Sequence, residues 1–342
     1  MVDLIFTIDY EIYGNGEGSL HELVFEPAKT LKSIFDRANR KFVVFAEAAE
    51  LAQIDRARSD SGIDKVKGQV RELHEDGFEI GLHLHPQWCN AEFRDGKWHL
   101  DYTEYNLCTL SKDRINKIVE ESLVFLAEII GMPDFRPTSF RAGNWLLQPT
   151  SRVGQALSEH GFNVDSSVFK GGRQHNHALD YRGALKNGDY WTFSDDVATI
   201  DPNGTLLEIP IYSEYVPFWR MATKKRISLQ AKASSARRFS DRLGRLRDFA
   251  RFRQPLKLDF CRMTADELIG MTERVLRDDR DSPESYRPIV LIGHTKDLVD
   301  FSTIEGFLSY LDDHRVTSTD LRTAYSKCQS LHRGMAAHLS LV

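Results

Sequence analysis

No run in this 342-residue chain approaches the roughly 18 apolar residues that a membrane-crossing helix needs. Its four cysteines, Cys89, Cys108, Cys261 and Cys328, are widely spaced and form no CxxC pair. That argues against a zinc ribbon and a disulfide framework and leaves buried or free thiols, with Cys89 kept as a minor ligand candidate. No G-x-G-x-x-G follows the first apolar run and no P-loop occurs, so a nucleotide-binding fold lacks its fingerprint. There is no internal repeat and no low-complexity segment. The opening MVDLIFTIDYE has no basic n-region, long apolar stretch or small-residue cleavage site, and we expect a cytoplasmic protein.

What is present suits a globular protein with a sizeable core: 41% hydrophobic and 28% charged residues. The net charge of −5 is unevenly spread. Residues 220–258 hold 13 Lys+Arg against two aspartates, Asp241 and Asp248, a local charge of +11 that leaves −16 for the rest. Such a block on an acidic body has a local reason.

Short β-branched runs alternate with helical patterns. LIFTID (4–9), KFVVFAE (41–47), FEIGLHLH (78–85), TSFRAG (138–143), FNVDSSV (162–168), YWTF (190–193), LLEIPI (206–211), RPIVLIGHT (287–295) and HRVTSTDL (314–321) read as strands. Helical spacing is clear over 27–40, 65–77, 111–131 and 264–278, and is expected near 150–160 and 303–313. Strand and helix in alternation predict a mainly parallel sheet with helices outside it. Seven or eight such units predict an α/β fold closed into an irregular seven- or eight-stranded (β/α) barrel, with an open doubly wound sheet as the alternative. We expect one domain over 1–342 with a basic, helical insertion at about 220–258.

Polar residues collect where the strands end: Asp9 and Glu11, His83 and His85, Arg141, Asp165 and His294. Parallel α/β folds gather the carboxyl ends of their strands on one face, so residues scattered along the chain can converge. Alternate residues of a strand point the same way, so Asp9 and Glu11, and likewise His83 and His85, can enter one cavity. Two imidazoles with one or two carboxylates suit a borderline divalent metal, most often zinc, and a carboxylate left beside it suits a general base. Singly, each of these is ordinary strand-end or turn chemistry; the same pattern on four or five strands is not.

These stretches resemble the five motifs of the polysaccharide deacetylase family, the NodB-homology or carbohydrate esterase 4 group, in the family's order: FTIDYE, GFEIGLHLH, SFRAGNW, GFNVDSS and IVLIGHT. The resemblance spans most of the chain outside the basic stretch. It implies a deacetylase-type barrel that removes an acetyl group from an N-acetylated sugar. Asp9 would be the base, Arg141 its steadying partner, His294 the general acid, and Asp165 a support for Arg141 or His294. Glu11, His83 and His85 would hold one divalent metal, zinc by preference. There are two departures. Tyr10 separates Asp9 from Glu11 where the family has adjacent acids, and Gln87 stands where the second metal histidine should fall, four residues after His83, leaving His85 as the substitute.

Asn144, Trp145 and Trp88 flank the motifs and are candidates to line a sugar site, with core packing of the tryptophans as the alternative. RRFSDRLGRLRDFARFR (237–253) interleaves arginines with apolar residues near helical spacing. It reads as a solvated helix, as a site for a nucleotide- or lipid-linked sugar, or as a peripheral membrane contact. No nucleic-acid reading motif accompanies it. The enzymatic alternatives are a related C–N hydrolase, either a deformylase or an allantoinase-like enzyme; the non-enzymatic one is an inactive barrel kept as a binding module.

Overall fold

The computed structural model describes residues 1–184, 188–234 and 253–339. Seven parallel strands form its centre: β1 (Val2–Tyr10), β2 (Val43–Glu47), β3 (Ile80–Leu84), β4 (Ser139–Ala142), β5 (Val164–Asp165), β6 (Leu206–Glu208) and β7 (Arg287–His294). Their spatial order is β6-β5-β4-β3-β2-β1-β7. Every residue of β1, β2, β3 and β4 is buried. That is why these strands read as continuous apolar runs rather than alternating ones: core lies on both of their faces.

The ring closes irregularly. Past β6, Ile211 bridges both Phe169 and Val290 of β7, and Asp259 bridges Ile292 further along β7. The backbone of Leu258 donates to Tyr212 O at 2.8 Å and accepts from Ile292 N at 2.9 Å, so residues 258–260 wedge into the closing seam. This is the irregular (β/α) barrel expected, with single bridges in place of one full ladder.

Helices Glu26–Arg37, Ile63–Glu75, Lys112–Ile130, Ser151–Glu159, Ala265–Asp281 and Phe301–Asp313 pack outside. Lys112–Ile130 has Ser111 as N-cap, accepting from Arg114 N, and stops at Gly131 in the left-handed region at φ +77°. Two details differ from expectation. Trp191–Phe193 runs antiparallel to β6 at the sheet edge, and FNVDSSV yields only two ladder residues. A hairpin of Ser213–Pro217 with Arg253–Lys257 leaves the barrel and returns to it. The helix expected over 237–253 lies, but for Arg253, outside the described residues.

Candidate active site

Strand register brings the polar residues together. Asp9 pairs directly with His294 across β1 and β7, Glu47 with His83 across β2 and β3, and His83 with Arg141 across β3 and β4. Paired residues in a sheet project to one side, so one layer of the barrel mouth carries all of them.

Arg141 is fully buried, and its Nη1 donates to Asp9 Oδ1 at 2.7 Å. Its Nε donates to Ser166 O at 2.9 Å, and its guanidinium lies 4.1 Å from the Phe45 ring centroid. Burial alone would raise the Asp9 pKa, but Arg141, His83 and His294 outweigh it and hold Asp9 below the ordinary carboxylate range. Asp9 is therefore an ionised carboxylate with one oxygen on Arg141 and the other, Oδ2, 3.6 Å from His294 Nε2. Burial pushes His294 down to about 4, so its imidazole is neutral at neutral pH. Its Nδ1 has no hydrogen bond and lies 3.6 Å from Asp297 Oδ2.

Glu11, His83 and His85 form a second group whose donor atoms all lie within 4.8 Å of one another. His83 Nδ1 meets the Arg141 carbonyl oxygen at 2.9 Å. A carbonyl can only accept, so Nδ1 carries a proton and Nε2 is the nitrogen that faces the other donors, 3.7 Å from Glu11 Oε2. His85 Nε2 lies 3.0 Å from the same oxygen. The other Glu11 oxygen accepts from Lys296 Nζ at 2.9 Å. Burial would raise Glu11, but Lys296 and His85 reverse this and keep it well below the usual range.

This donor set fits a divalent ion. Two imidazole nitrogens and one carboxylate oxygen converge in a buried position, which is the ligand count of a catalytic zinc site with one place left open. A buried orphan supports the fit. Gln87 Oε1 has no partner, while Gln87 Nε2 lies 3.2 Å from His85 Nδ1. Turning that amide over lets Oε1 accept from His85 Nδ1–H, which leaves His85 Nε2 to ligate; the Asn144 amide, whose Nδ2 lies 3.3 Å from the same nitrogen, turns with it.

The other expected site residues divide. Trp145 joins the group: its ring stands edge-on to His294 with centroids 6.1 Å apart. Asn144 joins it too, with Nδ2 3.3 Å from His85 Nδ1. The Gly143–Trp145 turn that carries both packs against β3, where a Cβ on Gly143 would lie 2.5 Å from Leu84 O and 2.8 Å from the His85 ring. Trp88 does not join it. It is 1% exposed, with its ring against Trp98 in the core, and so is withdrawn from the pocket. Asp165 meets Arg141 only at one remove. Its carboxylate accepts from Ser167 N and Ser167 Oγ at 2.9 and 2.7 Å, and it makes no ion pair with Arg141 or His294 among the described residues. Arg141 is held instead by Ser166, so Asp165 shapes the turn that holds the arginine. Cys89 is a free thiol outside the ligand group.

Residues at the site that went unread in the sequence include Glu47, Glu50 and Lys296. Glu47 Oε1 accepts from His85 N at 2.6 Å and Glu50 Oε1 from Ile12 N at 2.8 Å, so both acids fix the backbone beside metal donors. Burial and then Glu50 raise Glu47 well above its usual value; burial and then Glu11 raise Glu50 to about 8. Glu47 carried the same strand-end signal as the others. Lys296 carried none.

No family model matches the sequence, and no curated protein matches it. Solved structures do match. A protein described as a polysaccharide deacetylase from Mycobacterium smegmatis aligns over 96% of this chain and 91% of its own, with TM-score 0.53 and 14% identity. Another so described, from Pseudomonas aeruginosa PAO1, aligns over 95% and 90%, with TM-score 0.51 and 12% identity. The chain has the polysaccharide deacetylase fold. PuuE allantoinase aligns over 95% of this chain and 89% of its own, with TM-score 0.50 and 11% identity. At these identities the likeness is one of fold, and it bears out the deacetylase-type barrel expected from the resemblance.

Proposed function

We propose that this protein is a metal-dependent amide hydrolase that removes the acetyl group from an N-acetylated sugar. The observation that carries the reading is the convergence, in one buried layer, of the Asp9–Arg141 pair, His294 and the three donors Glu11, His83 and His85. The deacetylase fold supports it.

Glu11, His83 and His85 would hold the ion, which we take to be zinc from the two-imidazole, one-carboxylate set. A divalent ion bound there supplies Lewis acidity to the acyl carbonyl and lowers the pKa of a water. The chain's own groups do the rest. Asp9, ionised and aimed by Arg141, takes the proton from the attacking water. His294 starts neutral, with Nε2 facing Asp9 Oδ2, so it can receive that proton and pass it to the departing amine. The turn at Asn144 offers a backbone N–H to the oxyanion. Trp145 borders the space where the sugar would lie.

Asp9→Asn tests the assignment. We expect acetate release to fall by about 100-fold or more, the scale of a lost general base, with metal content near wild type. Full retained turnover in this variant would remove Asp9 from the mechanism. Assaying acetate, formate and ureide products in parallel separates deacetylation from deformylation and from an allantoinase-like reaction. Absence of all three would return the barrel to a binding module.

A further inference from the structure

One cation at the site has no task in this mechanism. Lys257 ends the returning strand of the hairpin, paired with Ser213. Its Nζ lies 3.8 Å from the centroid of the Trp145 ring and 4.6 Å from that of Phe169. Among the described residues it has no hydrogen-bond acceptor and no ion-pair partner. Asp259, two residues on, is engaged elsewhere: its Oδ1 accepts from Cys261 N at 3.0 Å and Arg262 N at 3.1 Å, and its Oδ2 faces the Arg262 side chain at 3.8 Å. The other cations of the site are matched, Arg141 by Asp9 and Lys296 by Glu11. Burial lowers the Lys257 amine to about 7 against the pull of Asp259, so it is partly charged at neutral pH and an anion beside it would complete the charge, one aromatic ring away from His294.

The ring that carries this charge sits on a built turn. Asn144 and Trp145 both have left-handed backbone, at φ +54° and +66°. Tyr181 Oη donates to Trp145 O at 2.6 Å, and Gln174 Nε2 donates to Asn144 O at 2.9 Å, so neighbouring side chains hold the turn in place. Non-glycine residues in this region persist only where surroundings over-determine them, and they cluster at ligand clamps.

We propose that Lys257 is an anion-binding group of the substrate pocket and that the sugar deacylated here carries a phosphate. A desolvated ammonium on two aromatic faces gains from the rings but keeps its three N–H donors for a ligand. Phosphate is an established partner for such a point charge. The inference names the substrate class of the deacetylase reading and rests on it.

The test compares N-acetylglucosamine 1-phosphate with N-acetylglucosamine, by acetate release and by calorimetric binding, in wild type, Lys257→Met and Lys257→Arg. We expect wild type to favour the phosphate sugar by about tenfold or more in kcat/KM, mainly through KM, as a charge-assisted contact would give. Lys257→Met should abolish that preference and Lys257→Arg should restore most of it. Equal handling of the two sugars by wild type overturns the proposal, as does a preference that survives in Lys257→Met. Lys257-dependent binding of the phosphate sugar without acetate release supports the phosphate site and defeats the deacetylase reading. Acetate release from both sugars alike does the opposite. Repeating the assay with the sugar phosphate joined to a nucleoside phosphate, or to a polyprenol, separates a soluble from a lipid-borne source.

Discussion

Gln87 shows how one side chain can change its task while the site keeps its chemistry. It stands where the resembled family would place the second metal histidine, and it is 1% exposed. Its amide reaches His85, which supplies the imidazole from the other side of the spacing. On the proposed ligand set the histidine stands two residues earlier, and Gln87 would orient it. Gln87→Leu should therefore weaken zinc binding by about 10- to 100-fold, the usual cost of losing a group that orients a ligand. Competition against a chromophoric chelator measures this, with the melting temperature as a check on folding. Unchanged affinity would reduce Gln87 to packing. At this scale the sequence was most legible for groups ending buried strands. It was least legible for Lys296, whose ammonium reaches Glu11 Oε1 and Ile12 O from the turn after β7. A lysine in a turn is ordinary surface chemistry until the fold closes over it.

At the scale of elements, Glu79 ties β3 to the last helix. Its Oε2 accepts from Arg322 N at 2.9 Å, near the start of helix Leu321–Leu339, and its Oε1 has no partner. Burial, with Asp320 adding to it, raises the carboxyl to about 7. The folded state thus binds a proton that the unfolded chain, with the ordinary glutamate value of 4.5, releases earlier. This contribution is complete below the unfolded value and declines as pH rises from there through about 7. Its ceiling is on the order of 3 kcal/mol. Glu79→Gln removes the titration while keeping the shape. We expect it to melt a few degrees above wild type at pH 8 and close to it at pH 5. An equal difference at both pH values would show that the charge is not the cause. Elements with clean periods, such as β1 and Lys112–Ile130, were read within a residue or two. Helix Ala48–Ala57 was not, because it follows β2 without a loop and is capped by the side chain of the strand's last residue, Glu47. The hairpin was missed because SEYVP and RQPLK carry prolines and charges that mask a strand pattern.

On the whole molecule, the far end of that hairpin is unusual. Tyr215, Phe218, Trp219 and Ile227 are 45 to 56% exposed within one short stretch, among exposed Arg220, Lys224 and Arg253. Among the described residues no helix is long and apolar enough to cross a membrane. Aromatic rings beside arginine and lysine are groups that an anionic bilayer surface attracts, so vesicle binding is the test of this face. Sedimentation with phosphatidylserine-containing vesicles should pull the protein down at low salt, and less so at 0.5 M salt, where the screening length falls to roughly 4 Å. Phe218→Ser/Trp219→Ser should lose most of that binding. Equal binding to purely zwitterionic vesicles, or a double variant that binds like wild type, would discard the membrane contact.

The sequence by itself determined the alternation of strands and helices, the closed α/β class and which polar residues end which strands. Those features are local: a buried strand must be apolar throughout, and its last residues are where polarity can return. Tertiary structure decided the rest. Register alone sets Asp9 against His294 and His83 against Arg141. Packing alone sends Trp88 into the core, turns Asp165 toward Ser167, and brings Lys296 and Lys257, each more than a hundred residues along the chain from His83 and His85, to the same centre. A charge's partner is set by distance in space, and a barrel fixes that distance only when its last strand closes.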